Sequence, residues 1–132
     1  MSAFVDTSAF IALLIAEDEH HRTAGKIWQR LVASDEQLVT SNYTLVETCA
    51  LLHRRSGIST VRTFIEDLLP VVLVQWVDVE LHTTGVGGML TSGNRGPSIV
   101  DCVSFALMRK LKLRQVFTFD RHFREQGFDL VR

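Results

Sequence analysis

Short apolar segments alternate along this chain with longer stretches whose apolar residues recur at helical spacing. No other feature restricts the fold as much. Residues 3–5 (AFV) read as a short buried strand, and residues 7–16 as an apolar helix that starts directly after Asp6. Residues 20–33 carry a stripe of Ala24, Ile27, Trp28 and Leu31, and Leu38 and Val39 make a second brief strand. A helix over 42–55 is closed by Ser56-Gly57, and another over 59–69 stops before Pro70. The β-branched run 71–77 is the clearest strand of the chain, and 78–90 is a helix weakened by Gly85, Gly87 and Gly88. The segment TSGNRGP, 91–97, is loop, followed by a helix over 98–111 and a strand over 115–119. RHFRE is a short helical segment, and 128–131 a last strand. Strands that alternate with helices predict an α/β fold with a mostly parallel central sheet, in a three-layer α/β/α sandwich. The 132 residues fit a single domain over 1–132.

A formal net charge of -1 excludes a protein that coats nucleic acid or membrane by bulk charge, so any nucleic-acid contact must come from a local basic patch. The start MSAFVDTSAF lacks the basic region and cleavage site of a secretory signal, and Glu17, Asp18 and Glu19 cut off the first apolar run. Cys49 and Cys102 lie in separate apolar segments without the close pair spacing of zinc sites, and read as core thiols. A reduced, cytoplasmic protein with no membrane segment is the expectation.

Four acids occupy one kind of place. Asp6 ends the strand AFV, Glu47 lies in the first turns of the helix after LVTSN, Asp101 lies in the first turn after Pro97-Ser98, and Asp120 ends VFTF. In open α/β sheets, ligands bind beyond the carboxyl ends of the strands, where these helices begin. Each acid also has a local explanation. Asp6 and Asp120 can cap helices, and Thr44–Glu47 and Ser98–Asp101 both have capping-box spacing. The set is harder to explain that way. Asp101 sits inside SIVDCVSFALM and Glu47 inside TLVETCALL, both otherwise apolar, and acids are seldom buried without a partner. Four carboxylates in one crevice would repel one another unless a cation neutralised them, and no lysine or arginine shares their apolar setting. A hard divalent ion with oxygen ligands, Mg²⁺ or Mn²⁺, one or two of them, meets that need.

Other candidates carry less. His20-His21 are adjacent and cannot face one another on a helix, which favours packing at a helix start. Trp28 and Trp76 lie in apolar stripes and read as core, and GVGG lacks the Lys and hydroxyl of a phosphate-binding loop. A phosphoryl-transfer domain with Asp6 as covalent nucleophile would want an acid two residues on, where Ser8 stands.

The segments FVDTSAFIALL, TLVETCALLHRR, SIVDCVSFALMRK and VFTFDRHFREQGFDLV together resemble the PIN-domain nucleases, and within them the VapC-type toxins of toxin–antitoxin pairs. The similarity covers essentially the whole chain, with a weak middle over about 61–95. It implies a metal-dependent endoribonuclease that hydrolyses RNA phosphodiesters to a 5′-phosphate and a 3′-hydroxyl. It also implies Asp6, Glu47, Asp101 and Asp120 as the catalytic and metal-holding acids, Thr118 as a supporting hydroxyl, Ser8 as a small polar neighbour and Asn42 as a further polar support. Where some relatives carry an additional acid one turn after the third, this chain offers Ser104 and Phe105. Expected partners are an RNA substrate, a cognate antitoxin that would cover the cleft, and a second copy in a homodimer. Apolar faces near 11–15 and 58–69 are candidates for the protein contacts. Arg54, Arg55, Arg95, Arg121 and Arg124 are candidates for gripping RNA phosphates, with Arg54, Arg95 and Arg121 foremost. A competing reading keeps the fold as a catalytically inactive RNA- or protein-interaction module.

Overall fold

The computed structural model describes residues 2–132. Five strands form one all-parallel sheet in the order β3-β2-β1-β4-β5. They are β1 (Ser2–Val5), β2 (Gln37–Ser41), β3 (Val72–Gln75), β4 (Gln115–Phe117) and β5 (Asp129–Leu130). The helices are α1 (Thr7–Leu14), α2 (His21–Ala33), α3 (Asn42–Ser56), α4 (Ile58–Thr63), α5 (Val79–Ser92), α6 (Ile99–Lys110) and α7 (Arg121–Glu125).

The period-2 alternation of β1 sorts the core into two layers. Ala3 and Val5 point to the side where α1, α2, α3 and α4 pack, with Phe10, Ile27, Leu52 and Phe64 in one apolar cluster. Phe4 points the other way, to Leu81 of α5, Phe105 and Met108 of α6 and Phe123 of α7. Helices thus cover both faces, as the alternation of elements predicts.

The chain runs outward from β1 to β2 and β3, then returns across the sheet to β4 and β5. The order therefore reverses between β1 and β4, a topological switch point where the loops after the two strands diverge and leave a crevice. Ala3 pairs with Gln115 and Val5 with Phe117, so the two strands end level with one another.

Three local expectations change. The helix expected over 59–69 is α-helical only through Thr63, widens into a π turn over Phe64–Leu68 and tightens into a 3₁₀ turn at Leu69–Val71, which absorbs Pro70. The strand expected over 71–77 stops at Gln75, because Asn42 Oδ1 takes the Val77 N–H at 2.7 Å and draws the chain off the ladder. Trp76 lies there beyond the end of an edge strand and is 76% exposed, so it is not a core residue. The glycine-rich α5, in contrast, is a full helix. A Cβ on Gly85 would stand 2.3 Å from Val103 Cγ2, so the glycine is what lets α5 lie close against α6.

Candidate active site

Asp6 follows β1 and caps α1, and it is 2% exposed. Its Oδ2 accepts from Ser8 Oγ and from Thr118 Oγ1, both at 2.8 Å, and from the Ser8 N–H at 3.4 Å. The two hydroxyls accept in turn: Ser8 Oγ takes the Phe119 N–H at 2.9 Å, and Thr118 Oγ1 takes the Asp120 N–H at 3.0 Å. Asp6 N–H donates to Phe117 O at 3.0 Å. The loops after β1 and β4 are therefore laced together around one carboxylate. This lacing also ends β4 at Phe117, two residues short of the expected strand.

Asp120 caps α7, with Oδ1 accepting the His122 N–H and facing His122 Nδ1, each at 2.9 Å. Asp101 sits in the first turn of α6, 8% exposed, and forms the reciprocal capping box with Ser98 that its spacing allows. The Thr44–Glu47 capping box does not form. α3 begins earlier, with Ser41 as the cap accepting from the Thr44 N–H at 3.1 Å, and this leaves the Glu47 side chain without a capping duty.

All four acids line one cavity of about 430 Å³ at the switch point, together with Ser8. Among the described residues, none of the four pairs with a lysine or arginine. The consequence is electrostatic. Burial and the neighbouring Asp6, Asp120 and Glu47 push the Asp101 carboxyl up to about 7, against only the Ser98 N–H working the other way. Burial also raises Asp6, with the Ser8 and Thr118 hydroxyls pulling it back and Asp120 adding to the rise. Carboxylates gathered in one cavity without an ion-paired lysine or arginine suit a hard divalent ion, and the ligand atoms that lie within 4.8 Å of one another here are those of Asp101, Asp120 and His122.

Several residues arrive here without a sequence signal. His122 brings a ring nitrogen within 4.8 Å of oxygens of both Asp101 and Asp120. Asp18, His20 and Phe119 also line the cavity, and His20 lies flat on Phe119 with ring centroids 4.3 Å apart. His20 and Phe119 are 99 positions apart in the chain, so only the fold reveals the pair. His21 packs as expected, with Nδ1 2.8 Å from Ala12 O.

The arginines divide. Arg55 lines the cavity, whereas Arg54, Arg95 and Arg121 are exposed and stand outside its wall, as does Arg124. Asn42 is also outside, spent on the Val77 N–H, so it fastens the end of β2 to the segment after β3. A second cavity, about 470 Å³, lies between α5, α6 and α7, but it gathers no carboxylate cluster. Ile58 and Ile65 are 62% and 47% exposed on the 58–69 segment, whereas Ile11 of the 11–15 segment is buried. Cys49 and Cys102 are unpaired, half-buried and buried respectively. No helix among the described residues is long and apolar enough to cross a membrane.

Comparison with known proteins bears on the family and the fold. The chain is 37% identical over 130 residues to the 23S rRNA-specific endonuclease VapC20 of Mycobacterium tuberculosis, covering 98% of this chain and 97% of that one. It superposes on the crystal structure of M. tuberculosis VapC20, a sarcin–ricin loop cleaving toxin, with a TM-score of 0.88, 35% identity and 98% coverage of both chains. A more distant structure, VapBC2 from Rickettsia felis bound to a DNA fragment from their promoter, shares the fold at TM-score 0.72 with 8% identity, over 99% of this chain and 98% of that one. The profile of the PIN domain matches residues 3–129, and the chain belongs to the PIN-domain family.

Proposed function

We propose that this protein is a divalent-metal-dependent endoribonuclease, the toxin of a type II toxin–antitoxin pair, acting in the cytoplasm on structured RNA. The observation that carries the reading is the convergence of Asp6, Glu47, Asp101 and Asp120 on one cavity, none of them ion-paired with a lysine or arginine among the described residues. The sarcin–ricin loop of 23S rRNA is the first substrate to try, because VapC20, 37% identical to this chain, is a 23S rRNA-specific endonuclease and a sarcin–ricin loop cleaving toxin.

In this reading Asp6 and Asp101 are the principal holders of Mg²⁺ or Mn²⁺. When bound, such an ion acidifies a water and neutralises charge that builds on the phosphoryl oxygens. Asp6 has its Oδ2 engaged by Ser8 and Thr118, which fixes the carboxylate and would leave its other oxygen for ligation. Glu47, free of any capping duty, orients the attacking water or joins the ligand set. Asp120, held by His122, serves on the leaving-group side, where a second ion would bind with substrate. Arg55 supplies a positive charge on the cavity wall for an RNA phosphate. Cleavage would leave a 5′-phosphate and a 3′-hydroxyl.

An antitoxin covering the acidic cleft and a homodimer go with this proposal, as does a single domain over the whole chain. The inactive interaction module is not favoured, since all four acids and Thr118 are present and assembled. The deciding experiment is cleavage of a sarcin–ricin-loop hairpin and a panel of other RNAs in Mg²⁺, in Mn²⁺ and in EDTA, with Asp6→Asn and Asp101→Asn alongside. Metal-dependent cleavage lost in both folded variants is the expected result. Cleavage that survives EDTA or both substitutions would refute the assignment.

A further inference from the structure

We propose that His20, lying on Phe119 at the rim of the acidic cavity, is a stacking platform for one unpaired nucleobase of the RNA. This inference rests on the nuclease reading and adds a base-binding subsite to it. The imidazole and phenyl planes are within 3° of parallel, with centroids 4.3 Å apart, and both residues line the cavity that holds the four acids. The lower ring is anchored. Phe119 meets Phe117 edge-on at 6.0 Å, its N–H is taken by Ser8 Oγ at 2.9 Å, and it stands between Thr118 and Asp120 in the chain.

The upper ring has no comparable duty. His20 occupies the N-cap position of α2 but makes no capping bond with its side chain. Asp18 Oδ1 fixes its backbone by accepting the His20 N–H at 2.8 Å, and Nε2 faces the exposed Glu19 carboxylate at 3.4 Å. The side chain is nonetheless 43% exposed, and Phe119 already covers one face, so the open part is the other face and the rim. An aromatic face held flat, open to solvent and beside a phosphate-processing centre is what an unstacked base seeks. The occupant follows from the neighbourhood: the same cavity offers Arg55 for a phosphate, and Phe119 adjoins Asp120 in sequence. A nucleotide whose phosphate reaches the acids would thus lay its base, or that of the next nucleotide, on His20. Such a platform favours loops with splayed bases over continuous duplex.

The test is a binding measurement with Asp101→Asn protein, which holds RNA uncut, in Mg²⁺. The probe is a fluorescent hairpin RNA with the sarcin–ricin loop sequence, together with a series in which each loop nucleotide in turn is abasic. Adding His20→Ala should weaken binding of the intact hairpin by roughly tenfold, and adding His20→Phe, which keeps a stacking face, should restore most of it. On one abasic RNA, His20→Ala should cost nothing further, because the base it would have met is gone. A loss of equal size on every abasic RNA would assign His20 a merely structural part and overturn the proposal. So would no loss on the intact hairpin, or no binding of any RNA. Cleavage by the unsubstituted protein is scored separately. Its absence would remove the nuclease reading while leaving the base subsite to stand or fall on binding.

Discussion

Thr118 Oγ1 lies 2.8 Å from Asp6 Oδ2 although 112 positions separate them in the chain, and it donates its single proton there. Thr118→Val keeps the shape and removes the donor. Asp6 then loses one of the two hydroxyls that hold its pKa down against burial. The expected outcome is a roughly 10- to 100-fold weaker affinity for Mn²⁺, read by calorimetric titration, with a melting temperature lowered because the Asp120 N–H also loses its acceptor. Thr118→Ser should retain most of the affinity.

In the proposed reading, Asp101 is where function and stability conflict. Its carboxyl is pushed up to about 7 by burial and by three neighbouring acids, and each unit of such a shift is worth about 1.4 kcal/mol. Asp101→Asn keeps an oxygen to accept the Ser98 N–H and removes the charge. Metal-free protein should therefore gain stability at pH 8, on the order of 2 kcal/mol, while metal-dependent cleavage falls by at least about 100-fold. A denaturant melt beside a cleavage assay checks both.

The same shift sets a pH dependence. Asp101 has an ordinary value of 3.8 when unfolded and a higher one when folded, so between those values the folded protein binds more protons. Stability of the metal-free protein should then fall as pH rises from about 4 through about 7, with Asp6 acting in the same direction. Asp78, held low by the Leu81 N–H, acts oppositely but only below its ordinary value of 3.8. Thermal melts in EDTA from pH 5 to pH 8 should show the decline. Saturating Mn²⁺ should flatten it, because the ion takes the place of the proton.

The strand–helix alternation and the four acids were legible because each depends on local pattern: an apolar run, then an acid where a helix begins. Ser98–Asp101 fits a capping box and forms one, and Asp6 and Asp120 are caps too, so a residue that caps a helix can also line the acidic cavity. The capping reading of Thr44–Glu47 failed because Ser41, three residues earlier, took the role. Trp76 misled for a related reason: an apolar run does not reveal that an asparagine 34 positions earlier ends the strand. His20 on Phe119 and the choice of Arg55 over Arg54, Arg95 and Arg121 had no local signature, since both depend on which helix ends meet in space.

Gly85 tests whether the site depends on helix packing behind it. An added Cβ would stand 2.3 Å from Val103 Cγ2 and 3.1 Å from the Val103 backbone, two residues along α6 from Asp101. Gly85→Ala should cost about 1–3 kcal/mol despite the better helix former, and should weaken Mn²⁺ binding as α6 shifts. Gly87→Ala, with nothing within 4 Å of the new Cβ, should instead stabilise by about 0.5–1 kcal/mol. Equal melting temperatures for the two variants would count against this account of α5.

β1 is first in sequence yet central in the sheet, paired with β2 at Leu38 and with β4 at Gln115. Asp6 and Glu47 belong to the early half of the chain, which can begin to pair on its own, whereas Asp101 and Asp120 arrive with α6 and β4. Such distant parallel pairing is slow, because a long loop must close before any contact rewards it. The closing of that second half is also the moment at which like charges first crowd together. A divalent ion present then would lower the barrier to closure and afterwards raise the barrier to reopening. The ion proposed for cutting RNA would in this way also act as a clasp on the polypeptide, quickening its maturation and prolonging the lifetime of the finished molecule.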